Sequence, residues 1–203
     1  MPAYMSHPDL NKQRSTLALT LRAFRYRNYR LFFAGQGLSL VGTWMQSVAL
    51  SWMVYRLTGS PLLLGVTGFA GQAPSLLMAP LTGVAADRFD RRRIMLLTQC
   101  LSMLQALAVA VAALHGSPKV WQLIALASLL GFINAFDIPA RQAFVVELVE
   151  KREDLANAIA LNSTLFNGAR VLGPAVAGVL IAGIGEGWCF FANSLSFLAV
   201  IGS

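Results

Sequence analysis

Gly83-Val-Ala-Ala-Asp87-Arg88-Phe89-Asp90-Arg91-Arg92-Arg93 crowds six charges into seven residues of a chain that carries few elsewhere. The flanking stretches, residues 57–86 and 94–118, contain no Asp, Glu, Lys or Arg, and neither do residues 31–55 and 120–136. A hydrocarbon core ~30 Å thick takes ~20 predominantly apolar residues as a helix, so each stretch crosses or nearly crosses it. Hydrophobic residues make up 56% of the chain and charged residues 12%, against ~25% charged in an average soluble domain. So much uncharged chain does not fit inside one soluble domain of 203 residues. The chain reads as an all-α integral membrane protein.

The placement of charge sets the expected orientation. Thirteen of the sixteen Lys and Arg lie in residues 12–30, 88–93 and 141–152; the others are Arg56, Lys119 and Arg170. Basic residues concentrate in cytoplasmic loops, so the bias predicts a cytoplasmic N-terminus in a cell (inner) membrane protein. A nucleic-acid partner is not expected from the net charge of +7, because no solvated basic face interleaved with aromatics accompanies it. Cys100 and Cys189 form no CxxC or metal spacing and read as packing residues. The first apolar run begins about thirty residues in and is too long for a signal-peptide core.

From these signals residues 1–22 are a cytoplasmic tail and 23–203 a transmembrane bundle. The expected spans are 29–55, 61–85, 94–114, 120–136, 158–184 and 188–203, the last still apolar where the sequence stops. Arg22, Arg25, Arg27 and Arg30, interleaved with Phe24, Tyr26 and Tyr29, form a juxtamembrane anchor. Residues 138–157 alternate apolar and charged positions and are expected to form an amphipathic helix on the inner surface. Pro74 and Pro80 in span two, with several glycines, allow close helix contact and bending.

Few ionisable residues lie within the spans. Arg170 sits ~18 Å along the helix from Ala158. A charge there costs ~2.5–3.5 kcal/mol even on the lenient insertion scale, so it should face a polar cavity or a partner. It either contacts substrate, a polar side chain or an acid beyond this bundle, or it caps carbonyls of a bent neighbouring helix. Gln36, Ser39, Thr43 and Gln46 recur at helical spacing on one face of span one. With Gln72 and Asn134 they either line a cavity or hold helices together. Asp137 precedes Ile138-Pro139 and fits a helix N-cap.

The arginine loop resembles the G-x-x-x-D-R-x-G-R-R signature between the second and third helices of the major facilitator superfamily, with Asp90 at the usual second glycine. Gly168, Gly173, Pro174 and Gly178 resemble, with looser spacing, the G-x-x-x-G-P-x-x-G signature of the fifth helix in its exporters. Val54-Tyr-Arg-Leu-Thr-Gly-Ser60 and Leu172-Gly-Pro174 are similar to the enterobactin-exporter-like, transmembrane secretion effector branch. That resemblance implies a six-helix bundle of two three-helix inverted repeats, the first half of a twelve-helix transporter. It implies a cytoplasmic latch of Gly83, Asp87, Arg88, Arg91 and Arg92. Asp87 would face a helix N-terminus in the second half, and Arg91 would pair with Asp137, which is compatible with the cap. Gly173 and Gly178 would permit backbone contact and Pro174 bending, unless they are ordinary small-residue packing. The implied function is secondary active export of a small molecule by alternating access, driven by a proton gradient and needing no cofactor or metal. No enzyme constellation such as HExxH is present. An importer of the same fold and a six-helix scaffold are the alternatives.

Overall fold

The computed structural model describes residues 22–116, 118–149 and 151–202, and leaves the side chains of residues 84–87 and 152 undescribed. A 3-10 turn, Arg22–Arg25, leads into six helices: α1 (Arg27–Thr58), α2 (Pro61–Arg88), α3 (Arg91–Leu114), α4 (Val120–Glu147), α5 (Arg152–Ile184) and α6 (Glu186–Ile201). Pro61–Gly83, Arg91–Leu114, Val120–Glu147 and Glu153–Ile184 are each long and apolar enough to cross a bilayer.

Local chemistry sets the breaks. Gly59, with φ 61°, ends α1 in the left-handed conformation and donates its N–H to Tyr55 O, a helix stop that favours glycine. Pro61 opens α2, where its missing N–H removes nothing the first turn would use. Asp90 caps α3 by accepting from Arg93 N at 3.0 Å. That gives the acidic residue in the arginine turn a structural purpose, since a glycine would supply no side-chain oxygen.

In the bundle α2 packs mainly on α4, α1 on α5 and α6, and α3 on α4 and α6. The α2–α4 crossing is close enough that a Cβ on Gly131 would strike the carbonyl of Gly71. Ser75 Oγ donates to Gly131 O at 2.8 Å across the same seam. One apolar cluster joins Met45, Met53 and Val54 of α1 to Val109, Leu123 and Phe190. A second, toward the arginine turn, gathers Ala23, Tyr29, Phe32, Met95, Val145 and Ala158. Outward, Leu62, Phe69, Leu76 and Leu77 of α2 are 71–77% exposed, an apolar surface suited to lipid or another hydrophobic body and not to water.

Three expectations are corrected. Residues 138–157 do not form a separate surface helix: α4 runs unbroken to Glu147, and α5 begins at Arg152. Pro139 lies inside α4, because a proline removes one helical hydrogen bond and crowds one carbonyl, a loss that neighbouring helices can compensate. Asp137 is therefore a mid-helix residue and not an N-cap. The break expected between the spans 158–184 and 188–203 reduces to Gly185, with α6 starting at Glu186.

Candidate functional site: polar clusters and the arginine turn

Three polar layers stack along the bundle. Nearest the arginine turn, Arg91 Nη1 meets Glu147 Oε1 at 2.8 Å, tying the start of α3 to the end of α4. The expected Arg91–Asp137 pair is replaced by this one, for a geometric reason. Asp137 lies level with Thr98 and Gln99, seven and eight residues along α3 from Arg91, which is ~10–12 Å of helical rise. Arg88 and Arg92 are exposed, and among the described residues nothing lies within 4 Å of a Cβ built on Gly83. The Asp87 side chain falls outside the described residues.

The middle layer centres on Asp137, which is 4% exposed. Its Oδ1 accepts from Thr98 Oγ1 at 2.8 Å and Gln99 Nε2 at 2.9 Å. Its Oδ2 lies 3.4 Å from Arg141 Nη2, one turn on along α4. A buried carboxylate is tolerable in this setting because a cation and two donors replace its hydration. Beside it lies a cavity of about 30 Å³ lined by α1 (Gln36, Ser39, Thr43), α3 (Gln99, Ser102) and α4 (Asn134, Asp137, Arg141). Drug-sized ligands occupy ~300–1,000 Å³, so Gln36 and Asn134 face a chamber far too small for such a cargo.

The outer layer is a chain of amides. Asn193 Nδ2 donates to Gln46 Oε1 at 2.8 Å, Gln46 Nε2 to Gln105 Oε1 at 2.9 Å, and Gln105 Nε2 to Leu126 O at 2.9 Å. Gln46 is 1% exposed, and its amide joins α1 to α3 and α6. Gln72, by contrast, is exposed on α2.

Arg170 is exposed on α5, its guanidinium 5.5 Å from the centre of the Trp44 ring, a cation–π distance. Phe166 packs edge-on against the same indole at 5.8 Å. Among the described residues no carboxylate pairs with Arg170. Three residues on, Gly173 lies where a Cβ would strike Trp44 Cβ and press on Met45 N and Val41 O, so α5 touches the α1 backbone there. Gly178 differs from expectation, because among the described residues nothing lies within 4 Å of a Cβ built there, and the same is true of Gly168. Gly178 instead borders an open groove of about 600 Å³ with Val48, Trp52, Arg56, Ile181, Ala182 and Glu186. Arg56 and Glu186 form an ion pair at its mouth.

Residues 18–203 match the model of a family described as transmembrane secretion effector. The chain belongs to that family, a branch of the major facilitator superfamily. It is similar to the staphyloferrin A transporter of Staphylococcus aureus, 30% identical over 174 residues, covering 85% of this chain and 44% of that protein. It is 27% identical over 160 residues to macrolide efflux protein A of Streptococcus pyogenes, covering 77% of this chain and 39% of the relative. It is 26% identical over 179 residues to the enterobactin exporter EntS of Shigella boydii, covering 88% and 42%. The chain thus spans about two fifths of the length of these relatives. It is a multi-pass membrane protein of the major facilitator fold.

Sequence reasoning missed Glu147, Asn193, Gly131 and the clasp on Asp154. Asn193 stood out only as an amide within an apolar run, which is itself a sign of interhelical bonding. Asp154, 0% exposed, takes Arg25 at 2.5 Å and Tyr26 Oη at 3.0 Å. Ala23 N donates to Asn157 Oδ1 at 3.0 Å, so the entry turn is strapped to the start of α5.

Proposed function

We propose that this bundle is the first half of a secondary exporter that moves a small molecule out of the cell by alternating access, driven by proton entry. The observation that carries the reading is the family match together with relatives named for efflux or export of macrolides and enterobactin. The exposed apolar face of α2 is a seat for a second six-helix half. Gly83, Asp87, Arg88, Arg91 and Arg92 form the cytoplasmic latch between the halves, and Glu147 rather than Asp137 holds Arg91 within it. Arg170, supported by Trp44, faces the cargo path, and the groove beside Trp52 and Gly178 is of drug-sized volume. Gly173 and Pro174 set the bend about which α5 pivots. The N-terminus is cytoplasmic, which the arginine bias favours, and the membrane is the cell membrane.

The test is flux. The full-length transporter in inverted membrane vesicles should accumulate cargo from a panel of macrolides and siderophores only with an imposed proton gradient, and a protonophore should abolish it. Uptake in right-side-out vesicles alone identifies an importer. No flux and no cargo-dependent stabilisation for any member of the panel leaves the scaffold reading.

A further inference from the structure

The small cavity beside Asp137 has a hydrogen-bond imbalance that identifies its occupant. A carboxylate can only accept, so the Gln99 group 2.9 Å from Asp137 Oδ1 is the NH₂. The orientation of that amide is therefore fixed by chemistry, and its carbonyl oxygen points away from Asp137. Among the described residues Gln99 Oε1, which is buried, finds no hydrogen-bond partner, and the same is true of Gln36 Oε1 on the facing helix. The two residues are 3% and 1% exposed, and both line the cavity. With the Gln36 amide in the orientation the structure gives it, the two acceptors cannot satisfy one another, and leaving them bare in a low-dielectric interior is costly.

The cavity is about 30 Å³, and one water needs about 10–15 Å³ and two or more polar partners. The charge around it is balanced already, with Asp137 facing Arg141. A monovalent cation would reach the same oxygens, but it would stand beside the Arg141 guanidinium with no further carboxylate to offset it. The geometry points to one buried water, donating to Gln36 Oε1 and Gln99 Oε1 and bridging α1 to α3 next to the embedded ion pair. The two polar layers then differ in kind. The Gln46–Gln105–Asn193 layer is closed by direct side-chain bonds, whereas the Asp137 layer is closed by an exchangeable guest. None of this depends on the cargo or on the direction of transport.

The experiment is radiolytic hydroxyl labelling of the full-length transporter in lipid nanodiscs, in ¹⁸O-water. Leu40 and Phe197 line the cavity and are 6% and 3% exposed. Both should be oxidised in the wild type well above buried residues of the first apolar cluster such as Met53 and Val109, with slow exchange of the label. Gln36→Met removes one bare acceptor and fills the space without breaking any bond seen in the structure, and Gln36→Leu does so with a second shape. Either should lower labelling of Leu40 and Phe197 several-fold. No labelling of these two residues in the wild type overturns the assignment, as does labelling that persists in both variants. Thermal midpoints in sodium chloride and in N-methylglucamine chloride should coincide. A sodium-dependent rise that Gln36→Met abolishes would assign the site to a cation instead.

Discussion

Replacing Gly131 by alanine places a methyl group against the carbonyl of Gly71, at the closest approach of α4 to α2. The obstruction is backbone, so no rotamer change relieves it and the helices must separate. Overpacking of this kind costs ~1–3 kcal/mol, with a backbone contact at the upper end. Separation also stretches the Ser75–Gly131 hydrogen bond, and such interhelical bonds average ~0.6 kcal/mol in membranes. Alanine returns up to ~1 kcal/mol of helix propensity. The net expectation is a destabilisation of about 2 kcal/mol. The mirror substitution at the same seam should behave oppositely. A Cβ on Gly71 meets Ala127 O at 3.7 Å and Ala127 Cβ at 3.9 Å, ordinary contact distances, so Gly71→Ala should be neutral or stabilising by up to ~1 kcal/mol. Reversible unfolding of the full-length protein in mixed micelles, read by SDS titration, measures both. Equal stability of the two variants would refute the inferred one-sided crossing.

Gln46→Leu strands Gln105 Oε1 and Asn193 Nδ2 and should cost about 1 kcal/mol; in a cycle with Asn193→Leu a coupling of ~0.6 kcal/mol is expected, and strict additivity would deny the bond. Asp87→Asn, Arg91→Ala and Glu147→Gln should each slow transport several-fold while membrane insertion, followed by reporter fusion, is unchanged; wild-type flux in all three removes the latch. Arg170→Ala should lose transport or change cargo preference about tenfold, equivalent to ~1.4 kcal/mol of binding, and an unchanged range of cargo at full rate makes the residue structural. Asp154→Ala should free the entry turn, so trypsin should cut at Arg22 or Arg25 several-fold faster than in the wild type, and equal cleavage rates would show that the strap contributes nothing.

The number and order of helices was legible because charge is excluded from hydrocarbon, and residues 31–55, 57–86, 94–118 and 120–136 show that exclusion directly. The end of α4 was not, because Asp137-Ile-Pro139 reads locally as a start signal. The neighbours that make Pro139 tolerable are remote in sequence. That misplacement also moved Asp137 to the membrane surface, when it lies ten residues, ~15 Å, inside the end of its helix. The polar stripe on α1 was visible as a stripe, but its members divide by partner: Gln46 meets Gln105 and Asn193, whereas Gln36 faces the small cavity. Spacing alone cannot distinguish those fates. The glycines show the same limit. Gly173 and Gly178 look alike on paper, yet one touches the α1 backbone and the other borders the groove.

The strap between Ala23 and Asn157 joins positions 134 residues apart. A ribosome adding ~5–20 residues per second takes on the order of ten seconds to cover that interval. Throughout it, the root of the first helix has no counterpart to close upon, although four helices have by then been delivered to the lipid. Its Tyr29 and Arg25 acquire their partners, Ala158 O and Asp154, only when the fifth helix arrives. The earliest helix to be synthesised is thus among the last to be completed, and a nascent chain halted before residue 157 would display that unfinished root to quality-control proteases.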